Sequence, residues 1–257
     1  MSELDFTPRR VLITGAAGRI GSALVDHLDA LGNDRYALRL ADLEQTDERG
    51  MVLDITDLSA CREACEAVDT VVHLAGVAAP EASFEAILPV NIVGTYNVFR
   101  AASDAGVRRV VFASSAQVVE GYPTDVQVRA NMPVRPKNLY GASKAFGEAL
   151  AAYFAYQEGL EAVAVRIGAF EYPQEWTRLG ARDLSAWIEP EDLCSLLVRC
   201  IEAELGSEPF AIAHGISDNR FKRLDLTDTR ARLQYVPKAD AFAAWDVALP
   251  DTSEPAA

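Results

Sequence analysis

The chain has 257 residues, a formal net charge of −14, half of its residues apolar and 24% charged. That length allows one large α/β domain or two small ones, with a core that needs no disulfides. Thirty-eight acidic against twenty-four basic side chains argue against a nucleic-acid or anionic-membrane surface, and no run approaches the ~20 apolar residues of a membrane span.

The first residues, Met1 to Phe6, are too acidic and too weakly apolar for a signal peptide, so a cytoplasmic protein is expected. Lys137, Lys144, Lys222 and Lys238 are the only lysines among the cations. So few lysines among so many acids fit either a salt-adapted surface or a genome rich in G and C. Cys61 and Cys65 are four apart in a helical stretch, and Cys194 and Cys200 offer no second pair at metal spacing. Reduced, packed thiols and no metal are expected.

In chain order, residues 10–14 are an apolar run closed by Gly15 and predict a buried strand. Residues 20–31 have helical spacing, ended by Gly32. Residues 36–41 predict a second strand with Asp42 behind it, and 51–55 a short third. Residues 56–68 fit a helix capped by Thr56 or Asp57. Residues 70–75 predict a fourth strand, 81–105 a helix interrupted by Pro89, and 109–114 a fifth strand. Residues 140–157 form a long helix stopped at Gly159, and 160–167 a sixth strand. Residues 191–204 predict a helix with Pro190 in its first turn, 210–213 a last strand and 224–233 a last helix. This β-α alternation predicts one α/β domain over residues 1–249. Its core is a doubly wound parallel sheet with helices on both faces, and a small C-terminal part covers the substrate. Segments at about 170–189 and 214–223 are expected in the substrate pocket, and 250–257 in a disordered tail.

Gly15-Ala-Ala-Gly18-Arg-Ile-Gly21 follows the first strand and opens the first helix, the context of a dinucleotide fingerprint. Gly15 suits the tight turn, Gly18 lets backbone approach a diphosphate, and Gly21 lets helix lie on strand. The diphosphate would sit at the helix N-terminus, where free N–H groups and the dipole favour anions. Asp42, 21 residues after Gly21, can accept both ribose hydroxyls of adenosine and repels a 2′-phosphate, which favours NAD over NADP. Arg19 could itself meet a phosphate.

Tyr140 and Lys144 are four apart at the start of a helix and project together. A cation beside a tyrosine stabilises its phenolate. Ser114-Ser115 ends the fifth strand on the edge where parallel sheets bind ligands. A base, a charge that tunes it and a donor that holds the reacting oxygen are thus at hand.

These motifs resemble an extended short-chain dehydrogenase/reductase of the NAD-dependent epimerase/dehydratase type, a Rossmann-type fold. The resemblance rests on Gly15 to Gly21, Asp42, Leu53-Asp-Ile55, His73-Leu-Ala-Gly76, Asn91, Ser115, Tyr140-x-x-x-Lys144 and Arg166-Ile-Gly168, in family order over about 230 residues. It implies Tyr140 as general acid/base, Lys144 as the ribose-binding cation and Ser115 as the donor to substrate. It implies adenine contacts from Asp54 and Ile55 and a cofactor path along Leu74, Ala75 and Gly76. Asn91, Arg19, Ile20 and Ile167 complete the implied cofactor contacts. Pro89, two residues before Asn91, is expected to disturb that helix.

Only about 90 residues follow Ile167, too few for the larger substrate domain of relatives that act on nucleotide sugars. Ala116-Gln117 after Ser115 offers no acid for elimination. The chain more closely resembles small NAD-dependent uronate and sugar-phosphate dehydrogenases, in Arg39 to Leu43, Arg135-Pro-x-x-Leu-Tyr140-Gly and Gly215 to Asn219. Such enzymes oxidise the anomeric hydroxyl of a sugar to a lactone. Arg182 matches an arginine that grips the substrate's carboxylate in the uronate enzymes. The chain departs from them with Ala116-Gln117 in place of Asn-His, and with Ala78 and Ala169 in place of serines. Gln117, Tyr122, Arg178 and Trp187 are pocket candidates, with Ser115, Gln117 and Arg182 the expected substrate contacts.

A cytosolic NAD-dependent dehydrogenase of a small sugar, sugar acid or sugar phosphate is therefore expected. An epimerase and a non-catalytic NAD-binding redox sensor are the alternatives. The resemblance also implies a homodimer or dimer-built oligomer through the helices at 81–105 and 140–157, with Ala145, Ala149, Ala152 and Ala155 permitting close contact.

Overall fold

The apolar run after Arg9 becomes an interior strand, third of seven, in a parallel sheet. The computed structural model describes residues 7–32, 34–45, 47–175 and 180–247. Strand β1 (Arg9–Thr14) leads through the glycine turn into α1 (Arg19–Ala30), then β2 (Tyr36–Asp42) and β3 (Gly50–Val52). Helix α2 (Leu58–Cys65) crosses to β4 (Thr70–His73). Next come α3 (Phe84–Ile87), a π-helical turn (Leu88–Gly94) and α4 (Thr95–Asp104), which form one rod. Strand β5 (Arg109–Ser115) ends in a 3₁₀ turn (Ala116–Val119), and α5 (Leu139–Glu158) leads to β6 (Glu161–Ile167). The remainder is β7 (Ala169–Phe170), α6 (Ala181–Ala186), β8 (Trp187–Ile188), α7 (Pro190–Glu202), β9 (Phe210–Gly215), α8 (Thr227–Leu233) and α9 (Ala241–Ala244).

The sheet order is β3-β2-β1-β4-β5-β6-β9, with β7 and β8 paired separately. The chain winds outward from β1 to β3, then crosses back to β4 on the other side of β1. The C-terminal ends of β1 and β4 therefore diverge into a crevice, the ligand-binding edge of such sheets.

Period-two alternation divides the core between the two faces. Val11, Ile13, Val111 and Val163 pack with Leu24 and Leu28 of α1 and with Leu193 and Leu197 of α7. Leu12, Val71, Val110 and Phe112 pack with Cys61 of α2, Phe99 of α4 and Phe154 of α5. All four cysteines are free and buried, and burial pushes each thiol up to about 12.

Several boundaries differ from the sequence expectation, each for a local reason. The third strand stops at Val52, because the Asp54 carboxylate accepts from Thr56 N (2.9 Å) and Thr56 Oγ1 (2.8 Å) and turns the chain. Helix α2 starts after Asp57, which caps it by accepting from Ser59 N (2.8 Å). The fourth strand ends at His73. The helix expected from residue 81 starts at Phe84, after the Ser83 cap. Pro89 has no N–H to give, and the rod widens there into the π turn instead of breaking. The last long helix begins at Thr227 rather than residue 224, because Leu224 pairs with Val128 in an isolated parallel bridge. The short elements β7, β8, α6 and α9 lacked the length to show periodicity. Arg178 and the tail at 250–257 lie outside the described residues.

Candidate active site

Thr14 ends β1, and Gly15 turns the chain with φ +73°. A Cβ on Gly15 would stand 2.6 Å from Ala75 N, so the turn lies directly against the end of β4. Gly18 is the N-cap of α1 and supplies no side-chain acceptor, which leaves the helix's first N–H groups for a bound anion. Asp42, at the end of β2, accepts from Ala17 N and Leu43 N, both at 2.8 Å.

Two cavities meet over this turn and share Gly15, Gly18, Leu74 and Gly76. One, about 740 Å³, is walled by Asp42, Asp54, Ile55 and Ala75. The other, about 430 Å³, is walled by Arg19, Ile20, Gly21, Ser115, Tyr140, Lys144 and Ile167. Asn91, Gln117 and Arg182 wall neither cavity. The trough thus runs from an acidic end to the tyrosine, with the α1 N-terminus between. A Cβ on Gly76 would press to 3.3 Å from Asn91 Oδ1 and 3.4 Å from Lys144 Nζ, so a side chain there would crowd both groups at the trough floor. This shape, with an acid at one end and an anion-binding turn at its middle, fits an NAD molecule.

At the other end, Asn138 caps α5 by accepting from Gly141 N (2.7 Å). Tyr140 and Lys144 share the buried face of α5, at 9% and 5% exposure. Lys144 Nζ is 5.8 Å from the centre of the Tyr140 ring and 5.0 Å from that of Phe112. Burial raises the Tyr140 pKa, and the Ser115 hydroxyl, donating to the phenol oxygen, opposes that rise. Burial pushes Lys144 down to about 8. Burial and, to a lesser degree, Lys144 push His73 down to about 3. Its neutral ring bonds Thr14 Oγ1 at 2.8 Å behind the crevice. The arrangement can take a proton from a bound hydroxyl at the Tyr140 oxygen while Ser115 holds that hydroxyl.

Two supporting networks escaped the sequence reading. Asn91 Nδ2 donates to Ser143 Oγ (3.0 Å), which donates to Tyr140 O (2.7 Å). Ser114 Oγ donates to Glu148 Oε1 (2.6 Å), and Arg166 grips both oxygens of Glu148 at 2.9 Å. Glu148 lies one further step of four along the face of Tyr140 and Lys144. That spacing was the available signal.

The remaining candidates make other bonds. Arg19 pairs with Glu171 (3.0 Å) and Glu175 (2.9 Å). Gln117 Oε1 accepts from Asn138 Nδ2 (2.9 Å). Arg182 is held by Glu120 (2.7 Å). Tyr122 donates to Pro133 O (3.0 Å). Trp187, 1% exposed, donates to Glu171 O and stacks edge-on against Trp245.

Residues 11–190 match the model of the NAD dependent epimerase/dehydratase family. The chain is 36% identical over 253 residues to an NAD-dependent glucose-6-phosphate dehydrogenase of Haloferax volcanii, covering 89% of this chain and 92% of that one. It is 35% identical over 248 residues to an L-arabinose 1-dehydrogenase (NAD(P)(+)) of the same organism, covering 89% and 96%. The crystal structure of a uronate dehydrogenase from Agrobacterium tumefaciens superimposes with a TM-score of 0.81 at 33% identity, covering 95% of this chain and 91% of that one.

Proposed function

Because the chain belongs to the NAD-dependent epimerase/dehydratase family, we propose that it oxidises the anomeric hydroxyl of a small sugar with NAD. It is an NAD-dependent oxidoreductase. The observation that carries the sugar reading is the buried Ser115–Tyr140–Lys144 group at the end of a dinucleotide-shaped trough. The near full-length likeness to sugar dehydrogenases, one of them a 1-dehydrogenase, supports the substrate class and the carbon.

NAD, when bound, supplies the acceptor for the hydride that leaves the sugar carbon. Ser115 holds the reacting hydroxyl by a hydrogen bond. Tyr140 takes that hydroxyl's proton as the C–O bond becomes a carbonyl. A hemiacetal oxidised at its anomeric carbon becomes a lactone. Lys144 supplies the positive charge that favours the phenolate against the burial that disfavours it. Asp42 is suited to the adenosine ribose hydroxyls, Asp54 and Ile55 to adenine, and the α1 N-terminus with Arg19 to the diphosphate. Asn91 positions the floor of the trough. The test is Tyr140→Phe: NAD binding persists while NADH formation from sugar is lost. Full turnover by that variant overturns the assignment.

A homodimer or dimer-built oligomer is part of the same reading. On α5, Leu139, Phe146, Tyr153 and Tyr156 are exposed at helical spacing, with exposed Ala149 between them. Phe84, Leu88, Val93 and Tyr96 are exposed along the neighbouring rod. Such an apolar surface favours burial against a second copy. Of the alanines expected there, Ala155 is instead buried within the protomer. Four free, buried thiols support a reducing, cytoplasmic compartment. Among the described residues no helix is long and apolar enough to cross a membrane.

A further inference from the structure

The middle of the trough suits a diphosphate, yet its walls offer little positive charge. Among the residues that wall the two cavities, Arg19 and Lys144 are the only cations. Lys144 is buried at the Tyr140 end. Arg19 is the first residue of α1, directly after the glycine turn, and the first turn of that helix carries no acid. Two acids reach it instead from the segment after β7. Arg19 Nη2 donates to Glu171 Oε2 (3.0 Å) and to Glu175 Oε2 (2.9 Å).

The segment that carries the acids is part of the site. Phe170, just before Glu171, walls the same cavity as Arg19, and its ring centre lies 5.9 Å from Arg19 Cζ. The Glu171 backbone is anchored, because its carbonyl accepts from Nε1 of the buried Trp187 at 2.8 Å. Glu175 N donates to Tyr172 O (3.0 Å), a turn that brings the second acid to the same arginine. Two carboxylates on one guanidinium leave the group with a net negative charge. A diphosphate at the α1 N-terminus therefore meets an arginine already engaged and two like charges beside it, and both weaken its hold. The side chains of Arg19, Glu171 and Glu175 are 53%, 30% and 56% exposed. Ion pairs so exposed open at little cost and are screened by salt, so the acids compete with the phosphates without blocking them.

We infer that Glu171 and Glu175 set the affinity for the cofactor by competing with its diphosphate for Arg19. This rests on the reading of the trough as an NAD site. Product release limits many enzymes, so a loosened diphosphate favours exchange of NADH for NAD between turnovers.

The test measures the dissociation constant of NAD by calorimetry, with no sugar present. It compares the wild type, the double variant Glu171→Gln with Glu175→Gln, Arg19→Gln, and the three changes together. The double variant is expected to bind NAD about 3–10-fold more tightly at low salt, and molar salt is expected to shrink that gain. Arg19→Gln is expected to weaken binding. On that background the two glutamine changes should matter less, because the arginine they release is gone. Unchanged or weaker binding by the double variant overturns the inference, as does an equal gain with and without Arg19. Should the double variant not fold, Glu175→Gln alone, at the more exposed acid, is read the same way. A wild type that binds no NAD removes the NAD reading and this inference together, a result distinct from NAD binding that ignores the acids.

Discussion

Asn91 pairs with the backbone of Val77 through both ends of its amide: Oδ1 accepts from Val77 N at 2.8 Å, and Nδ2 donates to Val77 O at 3.0 Å. The side chain thus replaces a neighbouring strand where β4 has run out. It comes from the π turn that Pro89 imposes, and it continues through Ser143 to the backbone of Tyr140.

Replacing Asn91 by Leu leaves the part-buried N–H and C=O of Val77 without their protein partner, a loss of at most about 1–3 kcal/mol. Thermal unfolding is expected to shift down by several degrees, at ~2–4 °C per kcal/mol for a chain of this size. An unchanged midpoint contradicts the role of Asn91 as a backbone partner.

Catalysis should report the two opposite pKa shifts at the site. The productive form needs Tyr140 deprotonated, although burial raises its pKa, and Lys144 protonated, although burial lowers it to about 8. In the oxidation direction kcat/KM is expected to rise with pH up to about 8 and then level off. Tyr140→Phe should lower kcat by ~10²–10⁴. A profile that is flat from pH 6 to 8 contradicts the assignment of Tyr140 as base.

Stability should fall in mild acid. Burial pushes His73 down to about 3 and His214 to about 4. Above ~6.5, the ordinary histidine value, neither ring binds a proton in the folded or unfolded chain. Below it the unfolded chain takes up protons that the folded chain refuses. Stability is therefore lost as pH drops from ~6.5 toward 4, by up to about 1.4 kcal/mol per pH unit for each histidine. Urea unfolding at several pH values checks this, and His73→Gln should lessen the slope. A wild type equally stable across that window contradicts it.

Cofactor choice should depend on Asp42. Its carboxylate lies in the wall of the larger cavity and is anchored by Ala17 N and Leu43 N. Asp42→Ser removes the charge that repels a 2′-phosphate, and the ratio of kcat/KM for NAD over NADP is expected to fall by ~10-fold or more. An unchanged ratio separates Asp42 from cofactor choice.

Association should depend on the α5 stripe. Tyr153→Glu places a charge on the exposed face that carries Leu139 and Phe146. Sedimentation is expected to show a dimer or larger oligomer for the wild type and a smaller species for the variant. A monomeric wild type at micromolar concentration contradicts the dimer.

What was legible in the sequence was whatever local spacing encodes. The apolar runs of β1, β4 and β5, the helix from Asn138 to Gly159, and the i, i+4 relation of Tyr140 and Lys144 all follow from periodicity and caps. What was not legible depends on residues far apart in the chain. Glu120 and Arg182 are 62 residues apart, and Ser114, Glu148 and Arg166 meet only through the β5–β6 register and α5. The π turn was half legible: Pro89 signals a disturbance, but only the packed rod shows that it widens and turns Asn91 toward Val77. Among the described residues from 169 to 189, β7 (Ala169–Phe170) and β8 (Trp187–Ile188) have two residues each, too short to alternate.

Net oxidation of a sugar is expected at the Ser115–Tyr140–Lys144 site. The most direct measurement is NADH absorbance when purified protein meets NAD and a panel of aldoses, uronates and sugar phosphates at low and high salt. NADH accumulating in step with sugar consumed, and lost in Tyr140→Phe, is the predicted result. Inversion of a sugar centre without NADH, or NAD binding with no turnover of any sugar, would contradict it.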